Sequence, residues 1–138
     1  MLRHIRAGWS VLSGLTLLFI GIGIGERYGL YYRIANFDKL LHLTGGIIAA
    51  WFVLALLQDE LVRMTAWKQI LILVGITAFI GVMWEWAEFI SNFTQYTNPT
   101  WYHYFHGGDL GDTLGDLLAD TAGAIFFALW ALRKERMP

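Results

Sequence analysis

Cysteine is absent from this chain of 138 residues, and only two prolines interrupt it. The absence of cysteine excludes disulfide bonds and metal sites built on thiolates. Charge is also scarce: charged residues make up 15% of the chain, and the basic ones are scattered rather than clustered. We therefore expect no nucleic-acid partner, because such proteins carry basic patches. Apolar residues are abundant instead, at 57% of the sequence with a mean hydropathy of +0.49, which is not typical of a soluble protein of this size.

Four apolar stretches are long enough to cross a bilayer, which requires about 20 residues in a helix. The first, Ala7 to Gly25, contains no charged residue over nineteen positions. No signal-peptide cleavage pattern accompanies it, so we interpret it as a retained span. The sequence predicts an all-α integral membrane protein, with one domain over residues 1–138 and four transmembrane helices at about 7–25, 37–57, 68–90 and 112–132. We expect an antiparallel bundle with short connections.

The distribution of Lys and Arg predicts the orientation of this bundle. With four spans, both termini and the 58–67 turn share one side, which holds seven of the ten basic residues. Basic residues are enriched on the cytoplasmic side of membrane proteins. We therefore predict a multi-pass protein of a bacterial inner (cytoplasmic) membrane, with both termini cytoplasmic and the 91–108 connection outside.

The fourth span carries acids into the membrane. Asp109, Asp112, Asp116 and Asp120 are separated by three, four and four residues, so on a helix they share an arc of roughly 80°. The apolar run that follows, residues 121–132, covers only about 18 Å of a hydrocarbon layer about 30 Å thick. A spanning helix must therefore include Asp116 and Asp120. Acids at this depth are costly, so we expect them to face partners rather than lipid.

Two other helix ends bring polar residues to the same membrane layer. Asp38, Lys39 and His42 begin the second span, while Glu85 and Glu88 lie near the end of the third. Asp109, by contrast, is expected to cap the fourth helix. In the predicted topology the outer half holds eight acids and three bases, an excess that protonation, pairing with Lys39 or a bound cation would relieve. We therefore predict one outward-facing Asp/Glu/His pocket.

Each residue of this pocket has a candidate role. The candidates for acid–base catalysis are Asp38, His42, Glu85 and Asp116. The candidates for substrate binding are Lys39, Glu88, Asp112 and Asp120. The candidate metal ligands are Asp38, His42, Glu85, Asp116 and Asp120. Carboxylates alone favour Mg²⁺ or Ca²⁺, whereas His42 beside Asp38 would admit Zn²⁺.

Three ordered motifs carry a resemblance to a known family. They are Phe37-Asp38-Lys39-Leu40-Leu41-His42 with Gly45-Gly46, Trp84-Glu85-Trp86-Ala87-Glu88, and Gly108-Asp109 through Asp112, Asp116 and Asp120 to Gly123-Ala124. Together, over residues 37 to 125, they resemble the YjdF-type inner-membrane family, which is similar to the VanZ-like group linked to teicoplanin resistance. VanZ-like chains typically have Asn at the position of Asp120 and an Arg in the preceding loop, which has none here. The resemblance implies a membrane location and a shared polar site.

Three classes of function fit these observations. In the first, the pocket binds or acts on a cell-envelope component, such as a lipid headgroup, a lipid-linked precursor or an amphiphilic peptide. In the second, the chain is a cation- or proton-coupled transporter, which at this size would need to form a homo-oligomer. In the third, the acidic cluster only holds the bundle together. We favour the first class. No serine–histidine–acid arrangement or phosphate-binding loop stands in the sequence, so it names no specific reaction.

Overall fold

A computed structural model describes residues 2–105 and 107–135, with the side chains of residues 2–6 and 134–135 left out of the description. The described part of the chain consists of helices joined by turns. Its helices are α1 (Leu2–Leu18), a π-helical segment (Phe19–Gly25), α2 (Glu26–Tyr28), α3 (Leu30–Arg33), α4 (Phe37–Leu61), α5 (Ala66–Asn92), α6 (Pro99–Phe105) and α7 (Leu110–Glu135). The all-α prediction is therefore confirmed.

Four helices in the described residues are long and apolar enough to cross a membrane: Ala7–Tyr28, Phe37–Leu61, Ala66–Asn92 and Leu110–Arg133. Each contains one of the four predicted spans and extends beyond it by a few residues. The second predicted span ended at Leu57. At this residue α4 bends, with φ −106° and ψ 17°, but the helix continues beyond it. The basic flanks used to predict orientation lie partly outside the description, at Arg136 and at the side chains of Arg3, Arg6 and Lys134.

The first span differs from a regular α-helix in its second half. The sequence Phe19–Gly25 forms a π-helix, which leads into α2 without a break. Glycines in this segment allow aromatic rings to pack directly against the backbone. At Gly25 an added Cβ would lie 2.9 Å from Tyr31 Cε2 and 3.0 Å from Phe37 Cε1. The segment therefore folds the chain after α1 back onto the start of α4.

Small residues set the closest helix contact, between α4 and α7. An added Cβ at Gly46 would meet the backbone of Asp120, and one at Gly123 would meet the Leu43 carbonyl oxygen. The two backbones touch at this crossing, which only glycine permits. Farther from it, Ala50, Ala124 and Phe127 form a buried apolar cluster. α7 also packs against α5, whereas α1 packs chiefly against α4.

Candidate functional site

Lys39 lies in the first turn of α4 and faces α7. Its Nζ is 2.6 Å from Asp112 Oδ1 and 2.7 Å from Asp116 Oδ1, and it also donates to the Asp112 carbonyl oxygen at 3.2 Å. Asp38 Oδ2 lies 3.7 Å from the same ammonium group. One lysine therefore links α4 to α7 and partly balances three carboxylates. We call the end of the bundle where α4 and α7 begin and α5 ends the polar end.

His42 lies among α4, α5 and α7, with a carboxylate beside each of its ring nitrogens. Nδ1 is 3.3 Å from Asp120 Oδ2. Nε2 is 3.8 Å from Asp116 Oδ1 and 4.0 Å from Glu85 Oε1. The imidazole side chain is only 9% exposed. A histidine oriented on one nitrogen and facing acids on the other is suited to transferring a proton or to binding a metal ion.

Three of the carboxylates around His42 are buried. Asp116 is 1% exposed, and Asp120 and Glu85 are each 6% exposed. Asp120 fits between α4 and α5 because Gly81 of α5 leaves room for its carboxylate. Glu85 is the unusual member, because its Oε1 has no hydrogen-bond partner among the described residues. A buried polar atom without a partner normally costs stability, so this oxygen needs an explanation.

Glu88 lies one turn beyond Glu85, closer to the end of α5. The indole Nε1 of Trp84 donates to Glu88 Oε1 at 2.7 Å. Gly107, after α6, packs against the same side chain, since an added Cβ there would lie 3.0 Å from Glu88 Cβ. Trp84 is therefore turned into the bundle, whereas Trp86 is 60% exposed, as expected for a membrane anchor.

A cavity of about 610 Å³ extends from the polar end into the bundle. Its charged lining lies entirely at the polar end and comprises Glu26, Asp38, His42, Glu88, Asp112 and Asp120. Away from the polar end the lining is mainly apolar, comes from α1, the π-helical segment, α4 and α5, and reaches Val11, Phe52 and Thr77. From Asp38 to Phe52 along α4 is about 21 Å at the rise of an α-helix. The cavity thus joins a charged mouth to a long apolar interior.

The eight residues predicted for the site all lie at the polar end, with different partners. Donor atoms of Asp38, His42 and Asp116 lie within 4.8 Å of one another, as a metal site requires. Glu85 and Asp120, also predicted as ligands, lie outside this group and approach opposite sides of the His42 ring. Asp109 is the helix cap that the sequence indicated, since its Oδ1 accepts the Asp112 backbone N–H at 3.0 Å.

Several residues that line the cavity were not predicted as part of the site, among them Glu26, Tyr31 and Trp84. Tyr31 lies outside the spans and lines the cavity. Burial, and then the nearby charges of Asp38 and Glu26, raise the pKa of its phenol, so that Tyr31 stays neutral and can donate a hydrogen bond. Its position between two spans, close in sequence to Asp38, was the only available signal.

Comparison with known proteins shows similarity along most of the chain. The family model described as "Predicted membrane protein (DUF2238)" matches residues 2–136. An uncharacterized protein of Thermotoga maritima is 27% identical over 122 residues, which cover 86% of this chain. The matched region is 59% of that relative's length, so this chain spans less than two thirds of it. No solved structure matches the chain.

Proposed function

This chain belongs to the DUF2238 family of predicted membrane proteins, the YjdF-type family whose motifs it carries, and we propose that it binds a lipid-like component of the cell envelope. In this proposal the headgroup lies at the polar end and the apolar chain lies in the cavity between α1, α4 and α5. The polar end faces outward, following the distribution of Lys and Arg. A lipid headgroup or a lipid-linked precursor fits this description.

The observation that carries the proposal is the continuity of the cavity. One space of about 610 Å³ touches both the carboxylates near His42 and an apolar interior. This volume falls within the usual range of small-molecule sites, about 300–1,000 Å³. A purely polar ligand would leave the apolar part unfilled, and a purely apolar one would bury the carboxylates without a counterpart. An amphiphile satisfies both parts at once.

The charge of the cavity mouth indicates what the headgroup must bring. Lys39 is already engaged by Asp112 and Asp116, and His42 by Asp120. Glu88, which lines the cavity, has no cation within these contacts, and Glu85 has only the His42 ring, 4.0 Å away. The headgroup must therefore carry an amine, or reach the carboxylates through a bound cation. His42, held by Asp120 at Nδ1, is the group best placed to move a proton on such a headgroup.

A matched pair of variants tests whether an apolar chain occupies the cavity. Gly14 lines it, and an added Cβ there would meet only Ile48 Cγ2, at 3.8 Å. Gly14→Leu therefore places a side chain in the space proposed for the ligand without displacing backbone. The control is Gly75→Leu, because Gly75 is exposed on α5 with no heavy atom within 4 Å of an added Cβ.

The measurement is photo-crosslinking of the purified full chain to phosphatidylethanolamine with a diazirine in its acyl chain, followed by mass spectrometric mapping. Overpacking of about 1–3 kcal/mol should weaken capture by Gly14→Leu about fivefold or more, whereas Gly75→Leu should capture as the wild type does. Phosphatidylglycerol with the same chain distinguishes an amine requirement from chain binding alone. Equal labelling of α1 and α5 peptides in the two variants would refute occupation of the cavity.

A structural role is the second candidate, and the Lys39 contacts favour it. A single ammonium that holds Asp112 and Asp116 stabilises the α4–α7 contact whether or not anything binds. This role accounts for Lys39, Asp112 and Asp116, but it assigns no purpose to the Glu85 oxygen or to the cavity. A proton relay across the membrane has less support, because the acids that line the cavity in the described residues all lie at the polar end.

A further inference from the structure

The Glu85 carboxylate is buried in the bundle with one of its oxygens unsatisfied in the described part of the chain. This side chain is 6% exposed, and its Oε1 accepts no hydrogen bond from the described residues. The same oxygen points toward His42, with 4.0 Å between it and Nε2. A buried anionic oxygen aimed at an imidazole nitrogen requires a positive charge or a proton between or beside them. At 4.0 Å the His42 ring is too far away to donate a hydrogen bond to this oxygen, so the described contacts leave it unsatisfied.

The atoms facing that space match the donors of a metal site. Asp116 Oδ1 lies 3.8 Å from His42 Nε2, nearly the same separation as Glu85 Oε1 at 4.0 Å. Two donors bound tetrahedrally to Zn²⁺ at about 2.0–2.1 Å would be about 3.4 Å apart, so both oxygens lie within a few tenths of an ångström of that distance from Nε2. Glu85 must in addition move toward the other carboxylates, because it lies outside the group of donors within 4.8 Å of one another. Asp38 offers a further oxygen, since it shares with His42 and Asp116 the group of donors within 4.8 Å.

Asp120 supplies the second feature of such sites. Its Oδ2 lies 3.3 Å from His42 Nδ1, on the opposite side of the ring from Glu85 and Asp116. A carboxylate bound to one nitrogen holds the proton there and leaves the other nitrogen free to bind a metal ion. Buried acidic clusters alone do not require this arrangement. The pairing of Asp120 with Nδ1 therefore assigns Nε2 the role of ligand.

We propose that His42 Nε2, Glu85, Asp116 and Asp38 bind a divalent cation, with Asp120 positioning the imidazole. One imidazole with carboxylates suits Zn²⁺ better than Mg²⁺ or Ca²⁺, which prefer oxygen ligands alone. Four protein ligands fill the tetrahedral positions of Zn²⁺, so a headgroup phosphate that enters the cavity would reach the ion by displacing Asp38, the most exposed of the four ligands. The site deepens the proposed function by naming what the headgroup meets, but binding of the metal alone does not depend on any amphiphile.

Lys39 is the internal competitor of this cation. Its Nζ lies 2.7 Å from the same Asp116 oxygen that faces His42. When the cation binds, Lys39 keeps Asp112, whose carboxylate and carbonyl oxygens it already contacts at 2.6 and 3.2 Å. Removing this ammonium should therefore tighten metal binding. An increase of affinity on loss of Lys39 distinguishes this site from a surface acidic cluster, where a neighbouring lysine is weakly coupled.

The experiment measures Zn²⁺ binding to the purified full chain in detergent after removal of metals with EDTA. We expect about one Zn²⁺ per chain by elemental analysis, with Mg²⁺ competing poorly. Glu85→Gln should weaken binding at least about tenfold, and Asp120→Asn by about 10–100-fold, as expected for a residue that orients a ligand. The matched control is Glu60→Gln, an exposed glutamate at the other end of α4, which should bind as the wild type does. Lys39→Met should bind more tightly.

These measurements test the metal site separately from the amphiphile proposal. Absence of bound Zn²⁺ in the wild type, or equal affinity in Glu85→Gln and Glu60→Gln, would overturn the metal site. Circular dichroism and size-exclusion profiles establish that each variant is folded, and Asp120→Asn provides the test should Glu85→Gln fail to fold. If Zn²⁺ binds as expected but Gly14→Leu leaves lipid capture unchanged, the metal site stands and the amphiphile proposal fails. The converse result would leave the cavity ligand and remove the metal.

Discussion

Replacing Lys39 with methionine tests how strongly the polar end holds the bundle. The substitution keeps an unbranched side chain and removes only the ammonium that Asp112 and Asp116 share. Asp116 has a side chain 2% exposed, so it cannot regain a water shell without local rearrangement. Removing one partner of a buried ion pair costs about 3–5 kcal/mol.

The partial exposure of the other two groups reduces this figure. Lys39 is 31% exposed and Asp112 is 40% exposed, so water already screens that half of the bridge, which contributes about 0–1 kcal/mol. We therefore expect Lys39→Met to lower the free energy of unfolding by about 3 kcal/mol, at the lower end of the range. The measurement is SDS-induced unfolding in mixed micelles, monitored by circular dichroism. EDTA is present throughout so that no metal ion replaces the ammonium.

A control and a double variant make this prediction specific. Lys68→Met removes an exposed lysine whose Nζ lies 5.6 Å from the centre of the Trp67 ring, and it should remain close to wild-type stability. Adding Asp116→Leu to Lys39→Met removes both charges, so the double variant should be more stable than the sum of the single effects by about 2 kcal/mol. Additive effects, or a Lys39→Met variant as stable as Lys68→Met, would refute the reasoning.

Two further predictions concern packing and orientation. Gly46→Ala should lower the free energy of unfolding by about 1–3 kcal/mol, since the added Cβ meets the Asp120 backbone. Gly75→Ala, the control, should be at least as stable as the wild type. Equal losses of stability in SDS unfolding would contradict the close α4–α7 crossing. The chain lacks cysteine, so single cysteines at the exposed positions Asn98 and Arg63 report topology. With an impermeant thiol reagent, Asn98→Cys should label in intact cells and Arg63→Cys only after permeabilisation; the reverse pattern would invert the predicted orientation.

Much of the fold could be read from the sequence, because bilayer thickness sets the length of an apolar span. The first and last residues of the predicted spans agree with those of the observed helices to within a few residues. The π-helix at Phe19–Gly25 was not predicted, because the wider turn changes the backbone hydrogen bonds without altering apolar composition. The similarity to VanZ-like proteins, which rests on the motifs alone, stays a prediction.

The sequence by itself determined that acids enter the membrane and that they need partners. The spacing from Asp109 to Asp120, with too short an apolar run after it, leaves no other way to span the bilayer. It also determined which helix ends share one membrane layer, because alternating spans bring the starts of α4 and α7 and the end of α5 to the same side.

Only the tertiary structure decided which of these groups meet. Lys39 bonds to Asp112 and Asp116, while His42 turns Nδ1 toward Asp120 and Nε2 toward Glu85, across sequence separations as large as 78 residues. These pairings depend on how each helix is rotated about its axis and how closely it approaches its neighbours. The glycine crossing of α4 and α7 sets the rotation and the separation of these two helices for the residues nearer the polar end. Helical spacing defines a face within one helix, but the partner of that face is a non-local packing result.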